Sequence, residues 1–156
     1  MKALIVAAIR CSLMFLVPSV TYAISAQWDL DPIAGDWNTA ANWTPMGVPN
    51  GPADTATFGL SNTTNVSISD TQVNGIIFTA AATNSYVITI SSGLTLTLSS
   101  VGITINSGVT QSFIVGNLEG GQIHFTNSAS AGSARIYCVE DLSSMQFSNR
   151  SSAGNG

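Results

Sequence analysis

The chain has 156 residues, a formal net charge of −4 and only 8% charged residues. This length suits one domain of ordinary size. With four basic residues against eight acidic ones, the chain lacks the positive surface that neutralises phosphates, so we expect no nucleic-acid partner. The scarcity of titratable groups also disfavours acid–base catalysis, and we expect a protein that is not an enzyme.

Residues 1–23 have the pattern of a secretory signal peptide. Lys2 opens an apolar stretch, and Thr21-Tyr22-Ala23 places small residues at the −3 and −1 positions of a cleavage site. Arg10 and Pro18 interrupt the apolar run, which leaves no unbroken stretch of roughly 18 residues for a membrane-spanning helix. Cleavage would leave two basic residues against eight acidic ones, a net charge of −6. Because of this signal-peptide pattern, we expect the chain to be secreted.

The two cysteines predict a domain without an intrachain disulfide. Cys11 lies within the signal peptide, which leaves Cys138 alone in the mature chain. Backbone hydrogen bonding in an extended sheet is the natural substitute for a disulfide framework. In "RIYCVED", Cys138 alternates in phase with Ile136, which predicts a buried and unreactive thiol.

After the signal, the chain divides into a turn-rich part and an alternating part. Residues 24–60 hold all four prolines of the mature chain, which predicts an irregular cap with two short strands. Residues 61–156 alternate apolar residues with Thr or Ser, as half-buried strands do. The apolar residues of this alternation are Val66, Ile68, Tyr86, Ile88, Ile90, Leu94, Leu96, Leu98, Ile103 and Ile105.

A repeat indicates how these strands are arranged. "IHFTNSASAG", residues 123–132, recurs as "MQFSNRSSAG", residues 145–154, at an offset of 22 residues. A unit of this length holds about three short strands and cannot bury its own apolar face, whereas stacked units can. The sequence therefore predicts an all-β fold, a parallel β-solenoid over residues 61–156 that stops in the middle of a repeat.

The segment Trp28 to Gly59 resembles the start of bacterial secreted proteins with autotransporter-associated β-strand repeats. Those proteins open with Trp, Gly-x-Trp, Asn-Trp and Pro before an "A-x-F" strand, and "FTNSASAGSARI" is similar to their rung sequence. The residues that carry the resemblance are Trp28, Trp37, Asn42, Trp43, Pro49, Asp54, Ala56 and Phe58.

The resemblance implies a right-handed parallel β-helix passenger that is exported to the cell surface, in association with the outer membrane. It implies a structural or adhesin-like role without catalysis. Partners would be a host or matrix polysaccharide or a surface receptor. Such proteins are usually longer and end in a translocator barrel or a sorting helix, so we expect further C-terminal repeats or a translocator beyond "SSAGNG".

Trp37 and Trp43 are the candidate binding residues. Either they plug the first solenoid rung, which would otherwise end in unpaired strand edges, or they form an aromatic platform for a sugar in a carbohydrate-binding module. The position before the repeats favours the plug. A polysaccharide-cleaving β-helix enzyme is a third alternative, which Arg135 and Arg150 disfavour because neither has carboxylates at one-rung spacing.

The remaining titratable residues predict no catalytic, cofactor or metal site. His124 lies between Ile123 and Phe125, so we expect it to face solvent without a paired acid or nucleophile. The acidic residues of the cap could in principle collect around calcium. Turn and capping roles fit their spacing better. These acidic residues are Asp29, Asp31, Asp36 and Asp54.

Overall fold

The structure, a computed structural model, describes residues 23–116 and 120–155. The predicted signal peptide, apart from Ala23, lies outside the described residues. Within these two ranges the chain forms eleven β-strands and one short 3₁₀ turn, Ala40–Asn42. The strands are β1 (Ala26–Trp28), β2 (Trp43–Thr44), β3 (Gly51–Phe58), β4 (Asn65–Ile68), β5 (Thr71–Phe78), β6 (Val87–Ile90), β7 (Thr95–Ile105), β8 (Ser112–Val115), β9 (Gln122–Phe125), β10 (Arg135–Cys138) and β11 (Ser144–Phe147).

The strands form two sheets that share one winding chain. The larger sheet has the order β11-β9-β7-β5-β3-β1-β2, and the smaller one has the order β10-β8-β6-β4. Every pair is parallel except β1 with β2. From β3 onward, successive strands alternate between the sheets, so the chain is a β-solenoid of about four turns. The prediction of an all-β parallel solenoid is confirmed. None of the described residues belongs to a helix long and apolar enough to span a membrane.

The alternating residues form the core, because each strand stacks in register on its neighbour. In the smaller sheet Ile88 pairs with Val66 on one side and with Phe113 on the other, and all three are buried. The predicted strands "LTLTL" and "GITIN" are both present, merged into the eleven-residue β7. Parallel stacking therefore turns the period-two pattern of each strand into continuous apolar ladders along the solenoid axis.

The 22-residue repeat corresponds to one turn of the solenoid. β11 pairs with β9 so that Phe147 lies over Phe125, and the two rings stack with centroids 4.9 Å apart. The turns that follow also match. Asn127 and Asn149 adopt φ angles of 55° and 59°, and the matching glycines Gly132 and Gly154 adopt 63° and 70°. The repeat assignment is confirmed for these two turns.

One glycine lies where successive turns approach too closely for a side chain. Gly102, in the middle of β7, has φ +82° and bridges to Ser130 of the next turn. A Cβ atom here would lie 2.0 Å from the Ser130 carbonyl oxygen. Only glycine fits this corner, because it tolerates positive φ and leaves room for the neighbouring backbone.

The N-terminal segment closes one end of the solenoid. β1 adds a parallel strand to β3, and the short β2 pairs antiparallel with β1. The cap also pairs with β4 at the edge of the smaller sheet. Trp37 donates its backbone N–H to the Ser67 carbonyl at 2.9 Å, and Ser67 donates its backbone N–H to the Gly35 carbonyl at 2.8 Å. Parallel pairing therefore begins with β1 and β3, both inside the segment predicted as cap, and residues 23–50 cover the turn that starts at β3.

Candidate functional site

The three tryptophans meet at the closed end of the core. Trp28, Trp37 and Trp43 expose 0%, 0% and 2% of their surface. The ring of Trp43 lies edge-on to Trp28 at 5.1 Å and to Trp37 at 4.8 Å. All three also contact Phe58 of β3, with centroids 5.7 to 6.0 Å apart. Aromatic pairs favour such edge-to-face and tilted arrangements, so the cluster joins the cap to the first solenoid turn.

Each indole N–H of this cluster has an acceptor in the backbone. Trp28 donates to the Thr63 carbonyl at 3.0 Å, Trp37 to the Pro49 carbonyl at 3.0 Å, and Trp43 to the Trp37 carbonyl at 2.7 Å. Buried indoles need such partners, because an unpaired N–H away from water destabilises the fold. The rings therefore lie where the plug interpretation places them, with their polar atoms satisfied.

The same burial bears on the aromatic-platform alternative. A sugar stacks on an exposed ring face, and Trp37 and Trp43 present none in this structure. Their faces are occupied by each other and by Phe58. Sugar binding through this pair would require the cap to open and lose these contacts.

Asn42 organises the cap loop, a role that sequence reasoning did not identify although Asn42 belongs to the quoted motif. Its side chain is fully buried. The Oδ1 atom accepts the backbone N–H groups of Ile33 and Ala34, while Nδ2 donates to the carbonyls of Ala34 and Asp36. A fixed amide with both ends satisfied holds residues 33–36 over the core. The signal available in the sequence was an amide next to Trp43 in a loop that needs backbone partners.

Each acidic residue of the cap accepts its own hydrogen bonds from different groups. Asp54 accepts the N–H groups of Ile24 and Asn50 at 2.7 and 2.9 Å, and Asp36 accepts the Asn38 N–H and the Thr39 hydroxyl. Asp29 and Asp31 accept hydrogen bonds from Thr44 and Asn62. The hydrogen bonds of Asp36, and that of Asp54 with Asn50, are local, as the predicted turn and capping roles require. The others join segments that are distant in sequence, which the spacing did not predict. In the two described ranges, no group of three His, Cys, Asp or Glu residues is placed to hold a metal ion.

The outer face of the larger sheet carries two rows of polar side chains, which we call the outer polar rows. Strand register aligns Thr95, Gln122 and Ser144 in one row. It aligns Gln72, Thr97, His124 and Gln146 in the other. Neighbouring members are one strand spacing apart, about 4.8 Å. The rows hold hydroxyl, amide and imidazole groups, and their only titratable member is a histidine, so they suit hydrogen bonding with a neutral polar surface.

One end of these rows forms a groove of about 390 Å³ lined by Asn50, Asp70, Thr71, Gln72, Thr95 and Thr97. Two of its side chains are held in place by backbone donors, because Asp70 accepts the Thr95 N–H at 2.8 Å and Asn50 accepts the Gln72 N–H at 2.9 Å.

Within the outer polar rows, His124 lies on the outer face of the sheet, as predicted, but it is half-buried. Its Nε2 atom has no hydrogen-bond partner in the described chain.

The structure contradicts the prediction that the Cys138 thiol is buried. Cys138 stacks on the buried Val115 of β8, so it occupies an inward position as the alternation predicted. However, its side chain is exposed, because no described strand pairs with the outer edge of β10. Partial burial raises the pKa of the Cys138 thiol, which lowers the thiolate fraction near neutral pH. The prediction of a buried thiol was wrong. Alternation predicts the face of the strand to which a side chain points, but it does not predict whether another strand covers that face.

Comparisons with protein-family models, with curated proteins and with solved structures gave no match for this chain.

Proposed function

We propose that this chain is an exported, non-catalytic β-solenoid passenger that acts as a structural or adhesive element at the bacterial cell surface. The solenoid supplies a rigid rod, and the outer polar rows supply its contact surface for a polysaccharide or a surface receptor. The resemblance to proteins with autotransporter-associated β-strand repeats supports export and association with the outer membrane. Further C-terminal rungs or a translocator would complete that route.

The observation that carries the proposal is the contrast between the inside and the outside of the solenoid. Inside, apolar ladders run unbroken from the tryptophan cluster to Phe125. Outside, the larger sheet presents neutral polar groups in regular rows. Buried apolar ladders give mechanical and thermal stability to a repeat protein, and extended polar faces are the surfaces that such proteins use for binding.

Export is tested first, by expressing the full chain in a Gram-negative host and determining the N-terminal residue of the product. We expect cleavage after Ala23, so that the mature chain begins at Ile24. The variant Ala23→Phe places a bulky side chain at the −1 position and should remain uncleaved. Ile24→Ala, on the other side of the bond, is the matched control and should be processed normally. A full-length, unprocessed wild-type chain in the cytoplasm would contradict the proposal.

The adhesive role is tested with beads that carry the purified chain. We expect retention on immobilised polysaccharide or matrix, and loss of retention when Gln72, Gln122 and Gln146, which are exposed, are all replaced by Ala. Trp37→Phe keeps the cap apolar and is expected to leave retention unchanged. Retention that depends on Trp37 but not on the three glutamines would instead favour the carbohydrate-binding alternative at the tryptophan pair.

A further inference from the structure

Asp54 is a buried carboxylate where the cap meets the first solenoid turn. It exposes 5% of its surface and belongs to β3. Its Oδ1 atom accepts the backbone N–H of Ile24 at 2.7 Å, and its Oδ2 atom accepts that of Asn50 at 2.9 Å. The only lysine or arginine side chains among the described residues are Arg135 in β10 and Arg150 after β11, at the far end of the two sheets. Asp54 is therefore a buried charge with no described lysine or arginine nearby, although buried charges are usually balanced by opposite ones.

The fold places the Ile24 nitrogen beside this carboxylate. β1 pairs in parallel with β3, with Ala26 opposite Ala56, and two residues earlier in each segment this register brings Ile24 to Asp54. The Ile24 side chain lies against the backbone at Gly47, where an added Cβ atom would come within 2.8 Å of its Cγ2 atom. Strand register and side-chain packing therefore both fix the position of the nitrogen.

The Ile24 nitrogen is also the atom that removal of the signal peptide would change. This step rests on the proposed function, which places the cleavage after Ala23. Hydrolysis of the Ala23–Ile24 bond consumes one water, whose hydroxyl group joins the Ala23 carbonyl carbon and whose hydrogen joins the Ile24 nitrogen as the C–N bond breaks. At neutral pH the new carboxyl group loses a proton and the new amine gains one. An uncharged peptide N–H thus becomes an ammonium group.

The contact with Asp54 already has the geometry of an ammonium–carboxylate pair. The 2.7 Å separation of the Ile24 nitrogen and Oδ1 lies at the short end of the range for charge-assisted hydrogen bonds, about 2.7–2.9 Å. A cavity of about 350 Å³ adjoins the contact, lined by Ala23 and Pro52 among others. It has room for water, which can accept the other two N–H bonds of an ammonium group. The ion pair therefore needs no rearrangement of β1 or β3.

We propose that Asp54 is the receptor for the N-terminus that signal-peptide cleavage creates, and that the ion pair between the Ile24 ammonium and Asp54 locks the cap onto β3. In the uncleaved chain the same nitrogen is an uncharged amide and contributes one hydrogen bond. Cleavage adds the attraction of opposite charges at a buried site, where water and salt screen them weakly. The cap of the mature chain is therefore more stable than the cap of its precursor.

A thermodynamic cycle on the mature chain, residues 24–156, tests the ion pair. This chain holds all eleven described strands, and it is made by removing a tag with a protease that leaves Ile24 first. Residues 24–156 contain no lysine, so mild acetylation in urea modifies the Ile24 nitrogen, and mass spectrometry checks that one acetyl group has been added. The acetyl group removes the charge and keeps the N–H that donates to Asp54. We expect the free-amine chain, refolded in the same way, to melt about 5 °C above the acetylated chain.

The variant Asp54→Asn keeps an oxygen acceptor at this position and removes the negative charge. In this variant we expect the free and acetylated chains to melt within about 1 °C of each other, because the coupling between the two groups is lost. The matched control is Asp31→Asn, which neutralises an exposed carboxylate of the cap and should keep the difference of about 5 °C.

The reactivity of the single amine gives a second measurement, which does not depend on the folding of a variant. In the folded wild-type chain, the Ile24 amine should react with trinitrobenzenesulfonate about tenfold more slowly than in urea. Far-UV circular dichroism checks the folding of each chain. Equal melting temperatures of the free and acetylated wild type overturn the proposal, and so does a difference that persists in Asp54→Asn. An amine that reacts as fast in the folded wild type as in urea also overturns it. Because tag removal sets the N-terminus here, failure of export cleavage after Ala23 is recognised separately, from the N-terminal residue of the exported product.

Discussion

Replacing Trp37 by alanine is the sharpest test of the closed end. The side chain is fully buried, packs against Trp43 and Phe58 at 4.8 and 5.8 Å, and donates to the Pro49 carbonyl. Loss of a buried aromatic side chain costs about 3–5 kcal/mol, and a carbonyl left without its partner adds about 1–3 kcal/mol. We expect the free energy of unfolding of the cap to fall by about 5 kcal/mol.

This loss is comparable with the whole stability of many domains, about 5–15 kcal/mol. Because each turn of a solenoid contacts only its neighbours, the cap and the distal turns can unfold separately. Urea unfolding should therefore be followed by two probes, tryptophan fluorescence for the cap and far-UV circular dichroism for all strands. For Trp37→Ala we expect the fluorescence transition to move to lower urea first, with Trp28 and Trp43 becoming red-shifted and accessible to acrylamide.

The matched control is Met46→Ala, which truncates a cap residue with 78% of its surface exposed and should change the free energy of unfolding by less than about 0.5 kcal/mol. In the wild type, all three tryptophans should emit at short wavelength and resist quenching. If Trp37→Ala loses less than about 1 kcal/mol, or if wild-type tryptophans are quenched as readily as free indole, the argument for a tryptophan plug is refuted.

Three other perturbations test the solenoid and its cap by urea unfolding. Gly102→Ala should destabilise the chain by about 3 kcal/mol or more because of backbone overlap and positive φ, while Gly108→Ala, which meets no atom within 4 Å, should change stability by less than about 0.5 kcal/mol. Asn42→Ala should cost about 3 kcal/mol, since it leaves buried loop groups unpaired; Asn62→Ala, on an exposed side chain, should be near neutral, and equal effects would contradict the assigned role. Burial raises the pKa of Tyr86 to about 12, whereas a tyrosine in the unfolded chain has a pKa of about 10. Above pH 10 the unfolded state therefore loses its proton first, and stability should fall by about 2 kcal/mol up to pH 12. The variant Tyr86→Phe should lose less stability than the wild type between pH 10 and pH 12. An unchanged pH dependence of the free energy of unfolding in this variant would contradict the role of Tyr86.

The strands were predictable because their signal is local. Alternation around Ile88 or Leu96 fixes which side chains share a face, and the 22-residue repeat fixes that like strands stack on like strands. The merging of two predicted strands into β7 was not predictable. Gly102 lets the chain turn a corner while its hydrogen bonds continue, and this depends on the Ser130 backbone in the next turn.

The candidate site was less predictable, because burial depends on neighbours that are distant in sequence. The position of Trp37 and Trp43 before the repeats favoured a plug over a platform, but it could not place Phe58 and the Pro49 carbonyl beside Trp37. The role of Asn42 was not predicted, because its four partners are backbone groups that only the folded loop brings together.

By itself, the sequence determined the all-β class, the direction in which each strand's side chains point and the stacking of the last two turns, since these follow from periods of 2 and 22 residues. Only the tertiary structure decided what is covered. The tryptophans lie inside because the cap folds back over the first turn, while Cys138, also on an inward position, is exposed because no described strand covers β10. Direction is a property of one strand, but burial needs a second one on top of it.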